Sequence, residues 1–345
     1  MKPGAFAIPG DIDQKTGGYI YEKSLLLALR AAGRQVAHVE LPGSFPDPTD
    51  AQMSRAIAQL SALPTDQPVI LDGLVYGSID TAGLATVAAP LVAMIHHPLG
   101  LETGLPAARA AELLQREAAN LALAAHVVVP SPHTARILAS DFGVDPAHIT
   151  IALPGFAAPD PVRTPVTPPL ILAVGLIAAR KGHDVLIRAL AHIADLHWQA
   201  QIVGGAHDPV VAAALSAQID ATGLGDRIAM RGRMQTADLA TLYRQASLFA
   251  LATRYEGYGM VFGEALLHGL PIVTCNTGAV PETVPPGAGL LVDVDDDAAF
   301  GAALRHLLTD AGVRTAMAAT STTAGLSLPR WSDTAAIMGR VLERL

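Results

Sequence analysis

Two glutamates, Glu256 and Glu264, stand in an E-x7-E spacing within the segment RYEGYGMVFGEALLHGLPIV, Arg254 to Val273. Gly257 and Gly259 lie between them and permit close approach of a ligand to the backbone. Met260 to His268 is an apolar-rich run of good helix formers, ended by Gly269 and Pro271. The order predicted is loop, helix, helix stop and buried strand, with Glu256 on the loop and Glu264 about two turns into the helix. The start of such a helix presents backbone N–H groups that favour anions, phosphate in particular. Glu264 falls inside the apolar pattern Met260–Leu267, where a buried charge is costly unless paired or hydrogen-bonded. One short segment can therefore hold a phosphate on main-chain donors while two carboxylates accept from hydroxyls on either side of it. A ligand with hydroxyls flanking a diphosphate is a nucleotide sugar.

Other candidates stand at the ends of apolar runs. Gly17-Gly18, in GDIDQKTGGYIYEK, is either a phosphate-approach loop or an ordinary strand-to-helix turn, and it lacks the G-x-G-x-x-G dinucleotide fingerprint. His96-His97-Pro98 follows Leu91–Ile95; a histidine there can donate to a sugar hydroxyl, assist proton transfer, or simply cap the strand. Zinc is not expected, because adjacent histidines do not readily face one ion. Arg180-Lys181-Gly182 precedes a helix, and its two cations suit a diphosphate or a solvated surface. Gly204-Gly205 and Arg231-Gly232-Arg233 can frame a nucleobase or serve as turns. Asp293, Asp295, Asp296 and Asp297 precede a helical run and read as cap and dipole partners rather than a metal site.

These candidates need elements to position them. Strands are predicted at Gly4–Ile8, Gln35–Val39, Val69–Leu71, Leu91–Ile95 and Val127–Val129. Helices at about Tyr19–Ala32, Ala51–Leu63, Thr81–Ala88, Ala107–Ala125 and Pro132–Ala139 separate them. From Pro154 to Pro169 the composition turns to PGFAAPDPVRTPVTPP, an extended, stiff connection. The alternation then restarts. Strands are predicted at Leu170–Val174, Gln199–Val203, Arg227–Met230, Leu248–Leu251 and near Leu290–Val292. Helices are predicted at His183–Ala194, Pro209–Ala221, Thr236–Ala246 and from Asp296 onward. Such alternation means parallel strands with crossover helices, an α/β chain of two doubly wound halves. Residues 1–158 are read as the first domain, 159–328 as the second, and 329–345 as an amphipathic helix that packs back on the first.

Length and composition agree. A chain of 345 residues suits two cores. With 51% hydrophobic and 16% charged residues it is globular, and its net charge of −8 argues against nucleic acid as a partner. The single cysteine, Cys275, excludes an internal disulfide and fits a reducing compartment. The N-terminal MKPGAFAIPGDID lacks a signal peptide's apolar core, and no apolar run reaches the roughly 18–20 residues that span a bilayer. A cytoplasmic protein is expected, and peripheral contact with a membrane surface is left open without a basic amphipathic helix to support it.

In order along the chain, these features resemble the retaining glycosyltransferases of family 4, which have the GT-B fold of two facing Rossmann-like domains with an interdomain cleft. The resemblance runs through Gly17-Gly18, His96, VVVPSPHTARIL with the following LPG, the RKG loop, Gly204-Gly205, RGRM, the E-x7-E segment and NTGAVPETV. It implies that Glu256 and the backbone of Gly257, Tyr258, Gly259, Met260 and Val261 hold the donor sugar and distal phosphate. It further implies that Glu264 accepts from the ribose, Lys181 neutralises the diphosphate, Gly18 approaches that diphosphate, and His96 hydrogen-bonds the transferred sugar. Gly204 and Arg231 belong to the expected donor site. Two positions depart from the family pattern: Leu176 stands where an arginine commonly follows the first glycine, with Arg180 the candidate to supply that charge, and Pro154 replaces an asparagine. The expected activity is metal-independent transfer of a sugar from a UDP or GDP donor to an unidentified acceptor hydroxyl, with no cofactor. An epimerase or phosphorylase on the same fold, or a nucleotide-sugar-binding protein without turnover, are the alternatives.

Overall fold

The structure is a computed structural model that describes residues 1–158, 162–206 and 208–345. The chain divides into two compact units, the first formed by residues 1–157 with 329–345 and the second by 158–328.

In the first unit the elements are β1 (Gly4–Pro9), α1 (Gly17–Ala31), β2 (Val36–Leu41), α2 (Asp50–Ser61), β3 (Val69–Asp72), α3 (Gly73–Tyr76), α4 (Thr81–Leu84), β4 (Leu91–Met94), α5 (Ala107–Leu121), β5 (His126–Val129), α6 (Pro132–Asp141) and β6 (Ile149–Ile151). The strands form one parallel sheet in the order β2-β1-β3-β4-β5-β6. All residues of β1, β3, β4 and β5 are buried, which is why they read as apolar runs, broken only by Asp72 at the end of β3 and His126 at the start of β5. Strand order reverses between β1 and β3, so the loops leaving those strands splay apart and leave a crevice at their carboxyl ends.

Local chemistry sets the helix boundaries. Thr49 and Gln52 form a reciprocal capping box at the start of α2. Ser131 accepts from Thr134 N at 3.0 Å, with Pro132 at the first helical position of α6. The long helix expected at Thr81–Ala88 is only the four residues of α4, and the one expected at Ala107–Ala125 ends at Leu121. Alanine-rich sequence keeps helical propensity past the point where the chain must turn into the next strand, so it marks the stop poorly. The sequence reading also missed β6, an edge strand without fully buried residues, and the short α3.

In the second unit the elements are β7 (Leu170–Val174), α7 (His183–Ala191), β8 (Gln199–Val203), α8 (Pro209–Thr222), β9 (Ile228–Gly232), α9 (Thr236–Gln245), β10 (Leu248–Leu251), α10 (Met260–Leu267), β11 (Ile272–Cys275), α11 (Val280–Thr283), β12 (Gly289–Val292), α12 (Asp297–Thr309) and α13 (Ala311–Leu326). Their sheet is also parallel, ordered β12-β11-β10-β7-β8-β9. Counted from the unit's own first strand, this is the order of dinucleotide-binding sheets, with its switch point between β7 and β10. One core packs α7, α8 and α12 on one face of the sheet, around Trp198, Ile187 and Phe300; a second packs α9 and α10 on the other, around Phe249 and Phe262. The proline-rich connection includes residues 159–161, outside the described residues. Further along it, Thr164 and Val166 N–H bond the carbonyls of Arg244 and Gln245.

The last helix, α14 (Trp331–Arg344), belongs to the first unit and lies against α1. The Trp331 ring meets Tyr21 edge-on, with centroids 5.3 Å apart. Buried Arg34 donates to Gly339 O at 3.2 Å and to Glu343 Oε1 at 2.6 Å. Gly155 of the LPG motif runs so close to this helix that a Cβ would stand 2.2 Å from Trp331 N, so no other residue fits there.

Buried Glu117 on α5 accepts from Leu99 N at 2.9 Å and fixes the loop after β4. Burial pushes its carboxyl up to about 8, against the pull of that N–H. The folded protein therefore keeps a proton that the unfolded chain releases near 4.5, and stability falls as pH rises from there to about 8. Glu117→Gln keeps the acceptor without the charge. It is expected to flatten this dependence and to be about 2 kcal/mol more stable than wild type at pH 8, measured by urea unfolding at pH 5 and 8. Parallel curves for the two proteins would contradict this.

Candidate functional site

At the switch point of the second unit, the segments after β7 and β10 meet. A short turn, Ala179–Lys181, follows β7, and Gly182 then takes the left-handed conformation to enter α7. After β10, Glu256 is 5% exposed and is held by three groups. Lys181 Nζ stands 2.6 Å from its Oε1, Thr253 Oγ1 donates to the same oxygen at 2.9 Å, and Arg180 Nη1 lies 3.6 Å from Oε2. Burial alone would push this carboxyl up, but Lys181 and Arg180 more than offset it and hold it below its usual range. Glu256 is an anion at neutral pH, and the two cations are gathered around it.

Leu176 leaves β7 without the expected arginine, and Arg180 stands beside Glu256, donating to Tyr255 O at 2.8 Å. His183, buried at the head of α7, places Nε2 3.1 Å from Leu176 O. Burial lowers its pKa to about 4, so this ring is a neutral brace for the loop.

Gly259 begins α10 with φ +84°. A Cβ there would stand 2.6 Å from the Phe262 ring, so this left-handed entry requires glycine. The first N–H groups of α10, from Met260 and Val261 onward, point back along the axis toward the loop that carries Gly257 and Tyr258. Glu264 sits just past the first turn of this eight-residue helix, rather than two turns in. The helix begins at Met260, where the apolar run begins, so Glu264 is its fifth residue, and at 3.6 residues per turn that is little more than one turn in. Tyr243 on α9 donates to Glu264 Oε2 at 2.7 Å, and its ring stacks on His268 at 5.0 Å. Burial raises the Glu264 carboxyl, with the tyrosine hydroxyl pulling it down.

The remaining donor-site candidates of this unit are dispersed. Gly204 lies against β7, where a Cβ would stand 1.8 Å from Gly175 O, so this glycine is required by strand packing. Arg231 is exposed at the end of β9. The late aspartates cap and pair: Asp296 accepts from Ala299 N at 2.8 Å, Asp297 binds Arg188 and His192, and Asp295 binds Arg254.

Residues to which the sequence reading gave no role hold the Glu256 loop in place. Arg254 donates to both oxygens of Asp184, at 3.0 and 2.8 Å, and to Ala179 O, tying this loop to the Arg180-Lys181 turn. The NTGAVPETV stretch supports it from β11. Thr277 Oγ1 donates to Arg254 O at 2.9 Å, Ala279 N to Glu256 O at 2.9 Å, and Thr283 Oγ1 to Tyr258 O at 2.7 Å. Gly278, at φ +54°, comes so near that a Cβ would be 2.4 Å from Glu256 O. The available signal was the motif's own content, a glycine between hydroxyl-bearing residues directly after a buried strand.

In the first unit the structure brings Gly18 and His96 together. Gly17 and Gly18 open α1, and a Cβ on Gly18 would stand 3.4 Å from His96 Cδ2, whereas one on Gly17 would meet open space. Behind His96 lie two acids that the sequence reading did not single out, Glu22 on α1 and Asp72 at the end of β3, both buried. Glu22, Asp72 and His96 each offer one ligand atom within 4.8 Å of the others, the geometry of a possible three-ligand cation site. The pair of acids also loses its repulsion on taking up a single proton.

Residues 168–310 match the family described as Glycosyl transferases group 1. These residues lie in the second unit, and the chain as a whole has the α/β GT-B fold. Among curated proteins it is 34% identical over 176 residues to D-inositol 3-phosphate glycosyltransferase of Xylanimonas cellulosilytica, covering 50% of this chain and 42% of that protein. It is 29% identical over 180 residues to mannosylfructose-phosphate synthase of Agrobacterium fabrum, covering 47% and 40%. The matched region thus spans less than half the length of these relatives. Among solved structures, sucrose-phosphate synthase of Thermosynechococcus elongatus superposes with a TM-score of 0.84 at 21% identity, over 100% of this chain and 99% of that one. HepE of Anabaena in complex with UDP-glucose gives 0.78 at 17% identity, over 99% and 100%. These structural likenesses are likenesses of fold. No helix among the described residues is long and apolar enough to cross a membrane.

Proposed function

We propose that this protein is a retaining glycosyltransferase of family 4, moving a hexose from a UDP or GDP donor to an acceptor hydroxyl without a metal ion. The observation that carries the reading is the cluster of Lys181, Arg180 and Glu256 at the switch point of a dinucleotide-type sheet, beside the N-terminus of α10. A leaving nucleoside diphosphate develops negative charge as the glycosidic bond breaks. Two fixed cations and a helix start stabilise that charge without a metal. Glu256 holds the cations in place and accepts from sugar hydroxyls, and Glu264 accepts from the ribose. Substitution proceeds on the face the leaving group vacates, so neither glutamate forms a covalent intermediate. Gly18 lets the diphosphate approach the backbone, and His96 contacts the transferred sugar. HepE, solved with UDP-glucose, supports a nucleotide-sugar donor, and the glycosyltransferases among the relatives support glycosyl transfer.

Incubating the protein with UDP- and GDP-sugars tests this reading. Release of nucleoside diphosphate that accelerates with an acceptor, giving a product of unchanged anomeric configuration, is expected. Interconversion of the donor sugar without acceptor would mean an epimerase. A requirement for inorganic phosphate would mean a phosphorylase, and binding without turnover over a broad acceptor panel would mean a nucleotide-sugar-binding protein.

A further inference from the structure

Tyr243 uses its hydroxyl differently from other buried tyrosines of this chain. Tyr19, Tyr21 and Tyr76 donate to main-chain carbonyls, of Pro9 at 2.8 Å, Ala152 at 2.8 Å and Asn120 at 3.0 Å. Tyr243 donates to a side-chain carboxylate, Glu264 Oε2, at 2.7 Å. A carbonyl satisfies a buried phenol without bringing in a charge, whereas a carboxylate set against an apolar core is costly. Core packing alone therefore does not account for Glu264 among Phe262, Ala265 and Leu266.

The tyrosine is held firmly. It is 2% exposed and packs with Leu242, Phe249 and Phe262 in the core beneath α9 and α10. Its ring runs nearly parallel to His268 at 5.0 Å and to Phe249 at 6.2 Å. Glu264 on α10 and His268 at the end of that helix share one face by their i, i+4 spacing. Tyr243 lies along this face, its ring on His268 and its hydroxyl on Glu264. Burial and the Glu264 charge raise the phenol well above its ordinary range, so it stays the donor of this bond.

Glu264 itself is half-buried, and its second oxygen, Oε1, makes no hydrogen bond among the described residues. With one oxygen tied, the carboxylate can no longer turn freely, and the other is offered in one orientation. Ordering that binding would otherwise require is completed on folding.

We infer that Tyr243 is a positioning residue for donor recognition: by holding Glu264 Oε2 it presents Oε1 as a fixed acceptor for a ribose hydroxyl, and so sets a preference for ribonucleoside over deoxyribonucleoside diphosphates. The inference rests on the proposed function, in which Glu264 meets the ribose, and adds the group that makes this contact selective. A deoxy ligand leaves Oε1 covered and without a donor, a penalty that holds only while the carboxylate cannot turn away.

Calorimetric titration of the full-length protein tests this, using UDP and GDP and then the 2′-deoxy and 3′-deoxy forms of the nucleotide that binds. Wild type is expected to bind the ribo form at least about tenfold more tightly than one of the deoxy forms. Tyr243→Phe, which removes only the hydroxyl, should narrow that ratio to about threefold or less; its affinity for the same deoxy form should stay within about twofold of wild type, which also reports an intact site. In the transfer assay this variant is expected to raise donor KM about fivefold with kcat within about twofold of wild type. Equal weakening of ribo and deoxy forms, as loosened packing alone would give, or a ratio unchanged from wild type, would overturn the inference and leave the proposed function standing. A wild type without preference for the ribo form, or Glu264→Ala with the wild-type ratio, would remove the ribose contact of Glu264 and the inference with it. Binding of neither nucleotide by the folded wild type would overturn the proposed function and this inference together.

Discussion

Replacing Glu256 by glutamine is expected to lower sugar transfer about 10³-fold while leaving the circular dichroism spectrum of the native protein unchanged. The residue is enclosed by Lys181, Arg180 and Thr253, and its negative charge faces two cations at one spot. The amide keeps the shape and can still accept from Thr253, but it removes the negative charge that Lys181 and Arg180 face. Breaking a buried pair from one side costs about 3 kcal/mol, so the variant should also unfold at lower urea concentration. Bound nucleoside diphosphate brings back negative charge and should restore part of that loss. A glutamine variant with near-normal turnover would contradict the assignment of this cluster to the donor site.

The second large effect is conformational. Gly182→Ala is expected to destabilise the protein by more than about 4 kcal/mol or to prevent its accumulation as a folded chain. Two costs add at this position. The residue holds φ +61°, which costs a side-chain-bearing residue roughly 1 kcal/mol, and a Cβ would stand 1.8 Å from Ala252 O, a backbone atom that cannot rotate away. Gly223, at φ +67° with open space around its Cβ direction, isolates the first cost. Gly223→Ala should lose only about 1 kcal/mol in the same urea titration. Equal losses for the two alanine variants would show that contact between the turn and β10 does not constrain the Arg180-Lys181 loop. The comparison bears on function because this loop carries both cations of the Glu256 cluster.

The architecture was legible where burial is complete. Strands such as Leu170–Val174, set between Pro169 and Gly175, and Leu248–Leu251 are buried along their whole length and stand out as apolar runs. Elements that are not fully buried were harder to see. The edge strand β6 carries no fully buried residue, and α3 is a single turn whose start is set by the Asp72 side chain. Part of the candidate site was legible: residue type and position at strand ends picked out Glu256, Lys181 and Arg180 one by one, and the family resemblance put them in one reading. Its supports were not. Arg254 reaches Asp184 seventy positions away in sequence, and Tyr243 finds Glu264 from a neighbouring helix; local spacing holds no information about either pairing. Glu22 illustrates the same limit. In the sequence it is one acid in YIYEKS on an amphipathic helix, and only the fold turns it inward toward Asp72 and His96.

Under the proposed function, Lys181, Arg180 and Glu256 anchor a nucleoside diphosphate. Isothermal titration calorimetry of the intact protein with UDP and with GDP, repeated on Lys181→Met, tests it most directly. Saturable binding of one nucleotide is predicted, with affinity at least about tenfold weaker in the methionine variant, as removal of a charge-assisted contact to phosphate requires. Binding of neither nucleotide by the folded wild type, or equal affinity in the two proteins, would contradict it.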